Sequence, residues 1–272
     1  YFRNLRLPEE DSLSSHREKP VYDGGCVRID VIRHPRIANF TDFDALESEP
    51  DVSLRYIERP DGTIPDAVFL PGTKSTISDL RHLKSSGLAE HLAICKERGT
   101  TIVGICGGFQ MMGQRIRDPL RVESEFEAEE GLGLLPTETE FIGEKLTSQV
   151  KAFHIESGAE ITGYEIHMGR TLGAAEPPFR IVERTGEPVD VPDGASAGKG
   201  RIWGTYIHGL FDNGPFRRRF VNELRARKGF SPISDSENLD LDEEMDRLAD
   251  RVRASLDMDA LHEIAMGKNE II

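Results

Sequence analysis

The sequence predicts an α/β protein, a central and mostly parallel sheet with helices on both faces and antiparallel strands added to it. Apolar strand-like runs alternate with helical patterns through residues 24–113, as a parallel sheet with crossover helices requires. Two of those runs, "DAVFL" (66–70) and "TTIVGI" (100–105), are short and continuously apolar, the mark of strands buried on both faces. The second half is richer in strands, which the antiparallel additions account for.

Taken in order, residues 1–23 are polar, interrupted by proline and without periodicity, and read as an interdomain linker or tail. The chain opens on Tyr1 and is expected to be a piece of a longer protein. Residues 24–272 read as one domain that includes a C-terminal helix. "CVRIDVIR" reads as the first strand, "TDFDALES" as a short helix with Thr41 as its cap, and "VSLRYIE" as the second strand. "DAVFL" ends in Pro71-Gly72. Residues 76–98 carry one or two amphipathic helices, broken at Gly87 and stopped at Gly99. "TTIVGI" is the next strand, and "GFQMMGQRI" has helical spacing. "LLPTETEFI", "GYEIHMG", "FRIVER" and "RIWGTYIHGLF" read as strands, and "PFRRRFVNELRARKG" and residues 240–266 as helices.

Composition narrows the function. At 272 residues and 38% hydrophobic, the chain can bury one good core. A formal charge of −14 argues against a general nucleic-acid binder, since phosphate needs a basic surface. No run of 18 apolar residues and no signal-peptide pattern occurs, so no membrane segment is expected. The three cysteines, Cys26, Cys95 and Cys106, show no C-x-x-C spacing. Neither a disulfide framework nor a metal site is expected, and a reduced, cytoplasmic setting is. "GTKST" lacks the preceding glycine of a P-loop, so no cofactor is expected in this chain.

The stretch that carries chemistry is "GICGGFQ", residues 104–110. A buried strand ends on a thiol, and small residues around it permit a sharp, strained turn into a helix. Cys106 would then stand exposed at the strand end, at a helix N-terminus whose dipole favours an anion. The Gly107 N–H would point at the oxyanion formed when the sulfur attacks a carbonyl. Pro71-Gly72-Thr73 ends a neighbouring strand at the same sheet edge, where its N–H groups could complete the oxyanion hole. His208, at the end of "RIWGTYIH", is the best candidate for a proton-transfer partner. His167 is second, with Glu165 two residues away on the same strand face, which suggests a substrate contact or a carboxylate–histidine pair.

Together these residues resemble a family. G-I-C-G-G-F-Q is similar to the nucleophile motif of the class I, triad-type glutamine amidotransferases, whose fold is flavodoxin-like. "LPGTKSTISDL", "GICGGFQMMG", "GLGLLPTET", "GYEIHMG" and "WGTYIHGLFDN" resemble, in the same order, the glutaminase domains of the cobyric acid synthase branch. The resemblance spans about residues 24–228, and "LPEEDSL" resembles that branch's interdomain linker. It implies that Cys106 attacks glutamine to give a glutamyl thioester and ammonia, with His208 assisting. It also implies that Gly72 and Gly107 form the oxyanion hole and that Gln110 matches the motif's last residue. The implied partner is an ATP-binding, dethiobiotin-synthetase-like synthetase domain with its corrin substrate, and ATP and magnesium belong there, in cobalamin synthesis. Rival readings are the glutaminase of cobyrinic acid a,c-diamide synthase or of a peptidoglycan-amidating complex, or a silent module docked on a synthetase.

The sequence departs from the wider class at one place. That class follows its histidine with x-Glu, whereas this chain has His208-Gly209-Leu210. Leucine cannot orient an imidazole, so either a Cys-His dyad suffices or an acid comes from elsewhere. On that ground the isolated chain is expected to be a poor glutaminase until its partner orders the site.

Overall fold

The computed structural model describes residues 25–173, 175–234 and 241–266. Residues 1–23, read above as a linker, lie outside the described residues. The chain divides into two compact units, and all but the last two helices lie in the unit of residues 15–236.

The first sheet is built as the apolar runs require. β1 (Val27–Ile32), β2 (Val52–Ile57), β3 (Ala67–Leu70) and β4 (Thr101–Ile105) pair in parallel, and β3 and β4 are buried along their whole length. A 3₁₀ turn (Phe40–Phe43) and α1 (Asp44–Ser48) link β1 to β2, and α2 (Thr76–Ser85) and α3 (Leu88–Glu97) link β3 to β4. Thr41 lies inside the 3₁₀ turn and caps nothing there, since Asn39, in the left-handed region, occupies the cap position. α4 (Gly107–Met112) follows β4 directly, and of the "QRI" read as helix Arg115 and Ile116 belong instead to β5 (Arg115–Arg117).

The later strands build a second sheet instead of simply flanking the first. β6 (Ala128–Glu130), β7 (Thr137–His154), β8 (Glu160–Gly173), β9 (Phe179–Arg184) and β10 (Glu187–Asp193) join β5 there. The long β7–β8 hairpin is its frame, with a register shift between Glu140 and Lys145. Alternation reports a half-buried strand but not which sheet it joins. β11 (Ala195–Ala197) pairs antiparallel with β12 (Ile202–Thr205), which returns to the first sheet beside β4, giving the order β11-β12-β4-β3-β1-β2. The run read as one strand then breaks at Tyr206, and β13 (Ile207–His208) pairs with β8 of the second sheet. The chain thus changes sheets just before His208.

A short 3₁₀ turn (Leu210–Asp212) leads to α5 (Gly214–Arg227), which closes the core over the first sheet. Phe69 of β3 makes edge contacts with Phe43 and Phe211, at centroid separations of 5.3 Å each, and tilts against Phe220 of α5 at 5.8 Å. These rings seat the first 3₁₀ turn on the sheet. α6 (Leu241–Ser255) and α7 (Met258–Ala265) belong to the other unit. Among the described residues no helix is long and apolar enough to cross a membrane.

Candidate active site

The carboxyl edge of β4 carries the thiol. Cys106 has φ 53° and ψ −113°, a conformation that costs a residue with a side chain on the order of 1–3 kcal/mol. Its surroundings over-determine it. The Cys106 N–H donates to Thr205 O at 2.8 Å, and Cys106 O accepts from Gln110 N–H at 3.0 Å. A β-carbon at Gly108 would lie 1.9 Å from Leu70 O, so only glycine lets α4 leave β4 this close to β3. The sulfur is then held within 3.5 Å of Ile166 O of β8.

The loop after β3 lies against this elbow. A β-carbon on Gly72 would stand 3.7 Å from Cys106 Cβ and 3.3 Å from His208 Cε1, so Gly72 lies close against both residues. Gly107 packs on Thr73 and Thr76, the start of α2. The segment before the first 3₁₀ turn steadies this loop: Ala38 N–H donates to Gly72 O at 2.9 Å, and Lys74 N–H to Arg36 O at 3.0 Å.

His208 is fully buried and enclosed. Its Nδ1 lies 2.7 Å from Asp42 Oδ2, and the Gly209 N–H donates to Asp42 Oδ1 at 2.8 Å. A carboxylate only accepts, so Nδ1 carries a proton and donates it to Asp42. The Asn39 side-chain nitrogen lies 3.3 Å from Nδ1 and 3.2 Å from Nε2, and the Tyr164 ring stacks on the imidazole at 5.1 Å. Burial alone would lower the imidazole pKa. The charge and hydrogen bond of Asp42, together with Cys106, outweigh it and raise the value to about 10.

The remaining candidates form the wall behind the strand. Gln110 donates from Nε2 to Met168 O at 2.8 Å and to the Tyr206 hydroxyl at 3.1 Å, and accepts at Oε1 from Thr76 Oγ1 at 3.2 Å. Glu165 is buried, and two nitrogens of Arg184 donate to it at 2.9 and 3.2 Å. His167 stacks on Tyr206 at 3.8 Å and stands 3.8 Å from Glu165, an ion-pair and not a hydrogen-bond separation. Strand alternation turns Tyr164 toward His208 and puts Glu165 and His167 on the opposite face of β8. The structure therefore brings together Cys106, His208, Gly72 and Gly107, and sets Gln110 and His167 against Tyr206, with Glu165 beside His167 and Arg184.

Sequence reasoning missed Asp42, Asn39 and Tyr164. Asp42 leaves one faint signal, an acid set between Phe40 and Phe43 in a turn that must be buried. Tyr164 stands next to the Glu165 that was read, on the face that was not.

A family model described as the CobB/CobQ-like glutamine amidotransferase domain matches residues 28–216. The chain belongs to that family. This amidotransferase domain is 45% identical over 282 residues to a cobyric acid synthase of Syntrophobacter fumaroxidans, covering 97% of the chain and 55% of that protein. It is 44% identical over 270 residues to one from Streptococcus sanguinis, covering 97% and 54%. The chain thus spans about half the length of the curated relatives it matches. Among solved structures, PurLQS from Thermotoga maritima matches with a TM-score of 0.50 at 20% identity, over 71% of this chain and 89% of that one. A crystal structure of a glutamine amidotransferase matches with a TM-score of 0.52 at 16% identity, over 73% and 98%. At such identities these two establish the shared fold alone. The amidotransferase domain is thus a mixed α/β fold of the class I type, with a mostly parallel first sheet.

Proposed function

We propose that the domain hydrolyses glutamine through a thioester on Cys106 and supplies the ammonia to a synthetase domain that amidates corrin carboxylates. The observation that carries this reading is the elbow: a thiol forced to φ 53° beside His208, with the Gly72 loop at its side. Cys106 has already passed its proton to His208 when its sulfur bonds to the amide carbon, which the raised pKa of that imidazole favours, and the N–H groups of the Gly72 loop and of Gly107 hold the resulting oxyanion. The carbon–nitrogen bond then breaks, His208 returns its proton to the leaving nitrogen, and ammonia departs. Water, deprotonated by His208, releases glutamate and restores the thiol. Gln110, Glu165 and His167 support the substrate side of the pocket by fixing β8 and Tyr206.

The corrin acceptor is favoured over the diamide synthase and peptidoglycan readings because the matched relatives are cobyric acid synthases. The ATP-dependent step, with its magnesium, is assigned to a dethiobiotin-synthetase-like domain, and the whole to the cytoplasm. The test is a diazoketone analogue of glutamine followed by peptide mapping. Cys106 should be labelled, Cys26 and Cys95 spared, and Cys106→Ala should abolish glutamine-dependent but not ammonia-dependent amidation in the presence of the synthetase. Labelling confined to Cys26 or Cys95 would overturn the assignment.

A further inference from the structure

We propose that Asp42 is the third member of the site, a positioning residue that holds His208 in one tautomer and one orientation for its work on Cys106. This rests on the glutaminase reading above and adds to it the acid that the sequence after His208 lacks.

The geometry is a clamp. One oxygen of the carboxylate accepts from the imidazole at 2.7 Å and the other from the next backbone N–H at 2.8 Å. The ring cannot turn about its side-chain bonds without breaking the first contact while the second keeps the acid in place. Asp42 is itself only 2% exposed, so water does not compete for it. Where the wider class carries glutamate, Leu210 is fully buried in the apolar core, so the acid has been supplied from 166 residues upstream. A structural role alone, satisfying the Gly209 N–H, would need one oxygen. The second is aimed at the imidazole.

The other groups facing His208 do not offer the same service. Cys106 from the elbow is its reaction partner, and Tyr164 from β8 stacks flat on the ring. Asn39 is neutral. Asp212, from the turn after His208, is the nearest rival acid, 3.2 Å from where a Gly209 β-carbon would stand. Burial, and then the charge of Asp42, push its pKa up to about 6, partly offset by Arg217. An acid pushed toward neutrality by Asp42 is a weak competitor for the role Asp42 holds. Of the two alternatives the sequence left open, a Cys-His dyad or an acid from elsewhere, this proposal takes the second, with the acid drawn from the same chain.

The experiment is an NMR titration of His208 in the full chain labelled with ¹⁵N-histidine, set beside glutamine turnover. In the unsubstituted chain His208 should stay protonated until about pH 10. In Asp42→Asn it should titrate at or below the ordinary value of about 6.5, with kcat/KM at neutral pH lowered by about 10²–10⁴-fold and KM little changed. Asp42→Glu should restore the high titration in part. An unsubstituted chain whose His208 titrates near 6.5 would overturn the proposal whether or not the asparagine variant folds. So would a folded Asp42→Asn chain with unchanged titration and turnover. Failure of the glutamine analogue to label Cys106 would sink the glutaminase reading instead, and leave the His208–Asp42 titration to be judged by itself.

Discussion

Cys106 is placed by backbone and His208 by charge. At the elbow, strand β4 and helix α4 meet through small residues, and main-chain hydrogen bonds to Thr205 and Gln110 fix the strained cysteine. On the other side, the stretch just beyond α1, which follows the turn carrying Asp42, is anchored by ions. Glu49 accepts from Arg217 at 2.7 Å and from Arg218 at 3.0 Å, and Asp51 accepts from Arg218 at 2.7 and 2.9 Å and from Arg225 at 3.2 Å, all of them buried. Those arginines stand on α5, directly after the turn that follows His208. The ion cluster therefore ties the acid's segment to the base's segment, although they lie far apart in the chain. Backbone fixes a position cheaply but only locally, whereas buried charge can join distant segments and makes each partner depend on the rest.

The contrast predicts different failures. On the thiol side the strongest break is Gly108→Ala, whose methyl would lie 1.9 Å from a strand carbonyl that cannot move without opening β3. We expect at least about 3 kcal/mol of destabilisation in a denaturant titration, or no folded protein. A loss within about 0.5 kcal/mol would mean that the elbow is far softer than its packing requires.

On the base side, Asp51→Ala leaves Arg218 and Arg225 buried without that carboxylate. Removing one member of a buried ion cluster costs about 3–5 kcal/mol, and the same range is expected here. The sharper readout is functional. If the cluster positions the acid's segment, residual folded Asp51→Ala should lose turnover while still labelling at Cys106 with the glutamine analogue. Equal loss of labelling and turnover would show that the two sides are not separately held.

The same contrast explains what the sequence could tell. The elbow was legible because its cause is local: three glycines and a cysteine within five residues admit few other conformations. His208 was legible because a strand ends on it. The parallel order of β1 to β4 followed from continuous apolar runs. Asp42 was not legible, since "NFTDFDALES" offers three acids and only tertiary contact selects one. Nor was the second sheet, because period-two alternation in β7 and β8 is the same whichever sheet they join. The break at Tyr206 escaped notice for a related reason: "RIWGTYIH" keeps one strand pattern while its backbone crosses between sheets.

Asp193 gives the smallest test, and it asks whether charge on the base side always needs a countercharge. Asp193 is buried at the end of β10, and its hydrogen-bond partners are neutral, the Thr205 hydroxyl and, at 3.3 Å, the Tyr206 N–H. Burial pushes its pKa up to about 6, against the lowering effect of those bonds and with Glu165 adding to the rise. The sign follows from linkage. Below about pH 4 both the folded and unfolded carboxyl are protonated and Asp193 has no effect on the balance. Between about pH 4 and 6 the unfolded group ionises while the folded one keeps its proton, so stability falls as pH rises. Above pH 6 both are ionised, and the whole penalty, up to about 3 kcal/mol at 1.36 kcal/mol per unit, is in place. Asp193→Asn keeps the size and one acceptor but cannot ionise. Its stability, measured by urea unfolding at pH 4, 5, 6 and 7, should therefore lose less between pH 4 and 6 than that of the unsubstituted chain. Parallel curves for the two proteins would mean that Asp193 ionises in the fold as easily as outside it, and that the neutral bonds from Thr205 and Tyr206 do the work that arginines do around Glu49 and Asp51.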